Sequence, residues 1–244
     1  MISRHLLPFL EQQAQRYPVV TVTGPRQSGK TTLVKAAFPD FGYVNLEDPA
    51  VREYAIRDPR EFLRQFPQGM IIDEAQRFPD LFSYIQVEAD ASGQTGQFIL
   101  TGSHNFLLLK SIQQSLAGRT AVLHLLPLSQ AEIQGRPSLP LDDIGHKLPD
   151  RHQGTVLDLI GSLFKGGYPR IFDRDLPPQD WLANYIRTYV ERDVQEVLQV
   201  SDLNVFQRFL RMCAARNGQL LNLTSLASDC GITQPTVKSW LSVL

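Results

Sequence analysis

The chain has 244 residues, 43% hydrophobic and 20% charged, with a formal net charge of −1; this ordinary globular composition excludes disordered, collagenous and disulfide-scaffold classes. One large domain or two fit this length, and a chain of that size buries about 70% of its unfolded surface, so folding needs no metal or disulfide staple. The near-neutral balance argues against a globally basic nucleic-acid binder while leaving room for a local basic face.

The first residues, MISRHLLPFLEQQAQRYP, hold a short apolar stretch broken by Glu11, Gln12 and Gln13, without the uninterrupted run and small-residue cleavage site of a signal peptide. Nothing in the chain reaches the roughly 18 consecutive apolar residues of a membrane span. Cys213 and Cys230 lie far apart, with no CxxC spacing and no histidine pair beside them, so the pattern fits a reducing cytoplasm better than zinc or a disulfide. Leu6, Leu7, Phe9 and Leu10 recur at helical spacing and predict an amphipathic helix over residues 3–16. Short apolar runs then predict strands at Val19–Thr23, Tyr43–Leu46, Met70–Ile72, Phe98–Leu100 and Ala121–Leu126, each expected to be buried on both faces of a parallel sheet. Helix-length segments separate most of them. The expected core, residues 1–135, is therefore an α/β layer architecture with right-handed crossovers.

Residues 136–154, rich in Pro, Asp and Gly, read as a linker or insertion. Beyond them, Val156–Lys165, Trp181–Val200, Val205–Arg216 and Thr224–Leu244 are predicted helical, a smaller helical region following the sheet.

Gly24-Pro25-Arg26-Gln27-Ser28-Gly29-Lys30-Thr31 follows the first predicted strand and precedes a helical segment that begins at Thr32. This is the G-x4-G-K-[ST] pattern of a phosphate-binding loop, the Walker A motif, in its confirming context. Glycines let backbone N–H groups curl around phosphate oxygens, and the helix that follows adds its positive end. Lys30 is expected to reach the β and γ phosphates, and the Thr31 hydroxyl to ligate magnesium. Met70-Ile71-Ile72-Asp73-Glu74, a Walker B-like strand, ends in two carboxylates. Asp73 is the expected acceptor for the phosphate-bound magnesium, and Glu74 the general base that polarises an attacking water. That pair favours hydrolysis of ATP over phosphoryl transfer to a metabolite. Gln76 either orients the site or is a solvated turn residue.

Phe98 to Asn105 reads as a buried strand ending in small polar groups, which predicts a γ-phosphate sensor. Ser103 is the first choice, with Thr101 and Asn105 open. Arg119, just before the fifth strand, is expected at the edge of the nucleotide cleft, reaching the γ phosphate of a neighbouring subunit; its alternative is an intramolecular salt bridge. Arg187 and Arg192 are weaker competitors.

The combination GPRQSGKTT, MIIDEAQ, FILTGSHN and LAGRT resembles the prokaryotic AAA-type P-loop ATPases that carry a C-terminal domain of unknown function. GGYP at 166–169, YIRTYVERDV at 185–194 and residues 223–241 resemble that family too, so the likeness covers nearly the whole chain. It implies a sheet ordered 5-1-4-3-2, ATP and magnesium as ligands, a helical lid, here residues 155–202, and a helix-turn-helix, here 203–244. A further C-terminal domain, usual in the family, is not in this sequence, which reads as a truncated form or a short variant.

Ala227, Gly231, Val237 and Trp240 fall at helix-turn-helix offsets, with Leu226, Ile232 and Leu241 completing the apolar side. Thr233 can cap the second helix and Pro235 fits its first turn. From Leu203 to Leu244 the basic residues Arg208, Arg211, Arg216 and Lys238 face one acid, Asp229, a net of +3. The surplus suits DNA backbone contact, and equally a solvated face or a subunit contact. Two functions follow: an ATP-hydrolysing motor or switch, as a possible homo-oligomer, or a nucleotide-gated DNA-binding or protein-interaction module with slow hydrolysis.

Overall fold

The computed structural model describes residues 2–103, 115–138, 156–190 and 203–243. Five strands, β1 (Val19–Gly24), β2 (Gly42–Asn45), β3 (Met70–Asp73), β4 (Phe98–Ser103) and β5 (Thr120–His124), form one sheet in the order β2-β3-β4-β1-β5. Every pairing is parallel. This is the expected α/β class with the expected strand order, read from the opposite edge.

Alternation along the strands sends successive side chains to opposite faces, so each face has its own core. Val20, Val22, Ile71, Ile99 and Leu123 pack with Leu10 and Ala14 of α1 (Leu7–Ala14) and Leu33 and Val34 of α2 (Lys30–Ala37). Val19, Met70, Ile72, Phe98 and Leu100 pack on the other face with α3 (Pro49–Arg57), α4 (Pro59–Arg64) and α5 (Leu81–Ser92), through Ala55, Phe62, Leu63, Phe82, Ile85 and Ala89. The expectation that all five strands are doubly buried holds for β1 and β3 and fails at the edges. Val122 of β5 is 45% exposed and β2 is only half-buried, because an outer strand has a neighbour on one side alone. The first helix is shorter than the predicted 3–16: its regular turns run from Leu7 to Ala14.

After β5 come α6 (Gln130–Ile133), α7 (Val156–Lys165) and α8 (Pro169–Asp173). α9 (Pro178–Tyr185) passes into a π-helical stretch, Ile186–Val190, within the helix predicted to run to Val200. Most of the predicted linker, from residue 139 to its end, lies outside the described residues.

The chain divides into two compact units, Met1–Pro178 and Gln179–Leu244. In the second, α10 (Leu203–Ala215), α11 (Leu223–Cys230) and α12 (Gln234–Val243) share a core of Phe206, Phe209, Leu226, Ala227, Cys230, Val237 and Trp240. Trp240 meets Phe206 and Phe209 edge-on, with ring centroids 5.2 Å apart in both pairs. Asn222 caps α11 by accepting the Ser225 N–H, and Gly231, at φ 70°, ends it in the left-handed region. No helix among the described residues is long and apolar enough to cross a membrane.

Candidate active site

All five strands run the same way, so their C-terminal ends open on one edge of the sheet, where loops between strand and helix can meet a ligand. Gly24 closes β1 at that edge, with φ 148°. A Cβ at Gly24 would overlap the carbonyl oxygen of Leu125, so only glycine allows the turn. Pro25 and Arg26 are half-buried, as is Gln27, which stands at φ 62°. Ser28 is fully buried, and its Oγ has no hydrogen-bond partner among the described residues. Gly29, left-handed at φ 93°, is the N-cap of α2. Lys30, Thr31 and Thr32 form the first turn, with Thr32 exposed.

Lys30 is 6% exposed. Its Nζ donates to the carbonyls of Gly24 at 3.0 Å and Pro25 at 2.8 Å, so the lysine spans the loop it belongs to. Burial lowers its pKa, Arg26 adds to the lowering, and Glu74 and Asp73 oppose it. Thr31 Oγ1 donates to Asp73 Oδ2 at 2.8 Å. The Walker-type threonine and the carboxylate at the end of β3 are thereby brought together across 42 residues of sequence.

Asp73 collects further donors. The Tyr43 hydroxyl donates to the same Oδ2 at 2.9 Å, the Thr101 hydroxyl donates to Oδ1, and the Glu74 N–H lies 3.2 Å from Oδ1. Sequence reasoning left Thr101 open as a sensor; the structure puts it, fully buried, on Asp73 instead. Tyr43 was missed altogether, since one aromatic near the start of a short strand carries no signal of its own. Burial and the adjacent Asp73 push its phenol well above the usual range, keeping it a donor. The Lys35 ammonium lies 3.2 Å from its ring centre, an arrangement that restrains the ring.

Glu74 is left-handed at φ 55°. An unstrained alternative is open to few residues other than glycine in that region, and strain of this kind gathers at functional sites. The Gln76 amide donates to Glu74 Oε2 and, at 3.2 Å, to Ser103 Oγ. Ser103 is paired in register with Gly24, so the end of β4 lies directly beside the loop. Gln76, the undecided residue, links the carboxylate to that strand end. Asn105 and Arg192 lie outside the described residues, and Arg187 belongs to the other compact unit.

Arg119 needs a correction. It precedes β5, which runs parallel to β1 with Thr120 level with Val19, and its carbonyl accepts the Val19 N–H at 3.2 Å. That is the opposite edge of the sheet, about 17 Å from Gly24 at the usual rise per residue, and not the edge of this chain's own cleft. Its guanidinium grips Asp90 of α5 with two donors, at 2.6 and 2.8 Å. The reason is the parallel register: a residue before a strand lies at the end away from the residue that follows a neighbouring strand.

No group of three or more His, Cys, Asp and Glu side chains suited to a metal occurs among the described residues. The Thr31 hydroxyl and Asp73 carboxylate are hard oxygen donors, which fit a magnesium ion that takes its other ligands from phosphate and water.

Residues 16–134 match the model of an AAA domain family, and residues 157–244 match a domain of unknown function (DUF8612). The uncharacterized protein Rv2008c of Mycobacterium tuberculosis is 30% identical over 240 residues, which span 96% of this chain and 49% of that protein. MJ1544 of Methanocaldococcus jannaschii, also named as uncharacterized, is 24% identical over 227 residues, 86% of this chain and 50% of its own length. The chain thus spans about half the length of these curated relatives. The Walker-type ATPase PabY2304 of Pyrococcus abyssi superposes over 99% of this chain and 96% of its own with a TM-score of 0.52 at 13% identity, a likeness of fold.

Proposed function

We propose that the chain, whose residues 16–134 match an AAA domain family model, binds ATP and magnesium at the Gly24–Thr31 loop and hydrolyses ATP to ADP and phosphate, acting as a motor or switch. The observation that carries this reading is the 2.8 Å bond between Thr31 Oγ1 and Asp73 Oδ2. It brings the two oxygen donors that a nucleotide-bound magnesium requires to the side of a glycine loop. Thr31 would ligate the ion directly and Asp73 through its water shell. Bound there, magnesium draws charge from the phosphate oxygens.

The loop amides and Lys30 hold the phosphates. Glu74 takes a proton from the water that attacks the γ phosphorus, as the bond from that phosphorus to the ADP oxygen breaks. Ser103, joined to Glu74 through Gln76, faces the γ phosphate as its sensor. Glu74→Gln should leave ATP binding unchanged and reduce magnesium-dependent phosphate release by about 100- to 10,000-fold, the usual contribution of a positioned general base. Equal turnover in the variant removes Glu74 from that role.

A second reading, a nucleotide-gated DNA-binding or protein-interaction module with slow hydrolysis, draws on two observations. The Gln76 amide occupies the Glu74 carboxylate, and α11, its Gly231 turn and α12 have helix-turn-helix spacing, with the Thr233 hydroxyl accepting the Thr236 N–H at 3.3 Å. Either reading admits a homo-oligomer. Arg119 can act on a phosphate only in a neighbouring copy, after its pairing with Asp90 opens.

A further inference from the structure

We propose that Arg4 is a positioning residue for the phosphate loop: with Glu132 it fixes the Ser28–Gly29 peptide so that the Gly29 N–H faces the concave side of the loop. The proposal rests on the nucleotide site described above, yet neither Arg4 nor Glu132 belongs to any motif of that site.

Arg4 is 9% exposed and Glu132 7%. A buried guanidinium is costly unless it is paired and hydrogen-bonded, and here each of its three nitrogens has an acceptor. Nε donates to Glu132 Oε1 at 3.0 Å, Nη1 to the Ser28 carbonyl at 2.7 Å, and Nη2 to the Leu126 carbonyl at 2.6 Å. One planar fork therefore joins the segment before α1, the phosphate loop, the residues after β5 and α6. Lysine, a single point charge on a flexible stem, cannot reproduce that geometry.

Glu132 is held in place by its own contacts. It completes a capping box with Ser129 at the start of α6, and its Oε1 also accepts the His5 N–H at 2.8 Å. Burial favours the neutral carboxyl, but the N–H groups of Ser129 and His5 and the Arg4 guanidinium outweigh it and keep the pKa below the ordinary value.

The effect on the loop follows from peptide geometry. A trans peptide is planar, with its carbonyl and its N–H pointing in opposite directions. Drawing the Ser28 carbonyl onto Arg4 therefore turns the Gly29 N–H away from Arg4. The back of the loop is closed at the same place: a Cβ at Gly29 would lie 3.5 Å from Arg4 Nη1 and 3.7 Å from Pro169 Cγ. What remains for the amide is the front, where a phosphate would be met.

The test uses the full chain, with Arg4→Lys and Glu132→Gln, each keeping a polar side chain in the buried site; Glu132→Gln guards against a failure of the lysine variant to fold. Three measurements are made: the Gly29 amide resonance without nucleotide, calorimetric titration with magnesium and ATP, and ligand-free thermal melting. Both variants should move the Gly29 resonance, and ATP affinity should fall at least about tenfold, the effect of losing one charge-assisted hydrogen bond. An unmoved resonance with affinity within about twofold of the parent overturns the proposal, even if melting shifts, since Arg4 would then serve stability alone. If the resonance moves but the parent chain takes up no ATP, Arg4 retains its positioning role and the nucleotide reading is the one that fails.

Discussion

Asp73 is buried at 5% exposure and receives hydrogen bonds from Thr31, Tyr43 and Thr101. A carboxylate so supplied is held in one orientation by neutral donors, which is what a partner for a hydrated cation needs. Gly24 shows the same economy of means in the backbone. Its φ of 148° is a region that only glycine occupies freely, and the Leu125 carbonyl fills the space of a side chain. Gly24→Ala should lower stability by about 1–3 kcal/mol from backbone strain alone and abolish nucleotide binding; an unchanged urea midpoint would show that the turn can relax. Lys30, Thr31 and Asp73 were legible in the sequence because each belongs to a motif whose spacing reflects the ligand. Arg4, Tyr43 and Glu132 were not, because what unites them is a meeting in space between segments separated by 30 to 128 residues.

At the scale of elements, the strands were readable because a sheet covered on both faces demands continuous apolar runs, and only the two edges depart from that pattern. The place of Arg119 was not readable. Proximity to a strand in sequence says nothing about which end of the sheet a residue reaches until the direction of every strand is known. In the C-terminal unit, three helices of 8 to 13 residues share one small core. Phe209 is fully buried against Trp240 and Phe206, so Phe209→Ala should cost about 3–5 kcal/mol. Chemical denaturation followed through Trp240 fluorescence in a Trp181→Phe background reads that loss, and a change below about 1 kcal/mol would mean that this core is not the one that holds the unit together.

At the scale of the whole molecule, the near-zero net charge conceals a local imbalance. Of the basic residues between 203 and 244, Arg216 is already paired with Asp229 and donates to Ser225 Oγ at 2.9 Å. Arg208, Arg211 and Lys238 are exposed and remain as the carriers of any contact with nucleic-acid phosphates. If this unit binds duplex DNA, the logarithm of affinity should fall with the logarithm of salt at a slope no steeper than about −2.7, three phosphates at about 0.9 each. A steeper slope would require cations from elsewhere in the chain, and absence of binding at low salt would dispose of the DNA reading.

The Lys30 ammonium rests on the Gly24 and Pro25 carbonyls, so the loop offers its own cation two neutral oxygens. If the loop takes up a phosphate as proposed, uptake is a swap of partners, in which the newcomer draws the ammonium off those oxygens. A triphosphate would do this readily, whereas a weakly charged monoanion would have little to offer in exchange, and the lysine would then act as a filter for guest charge.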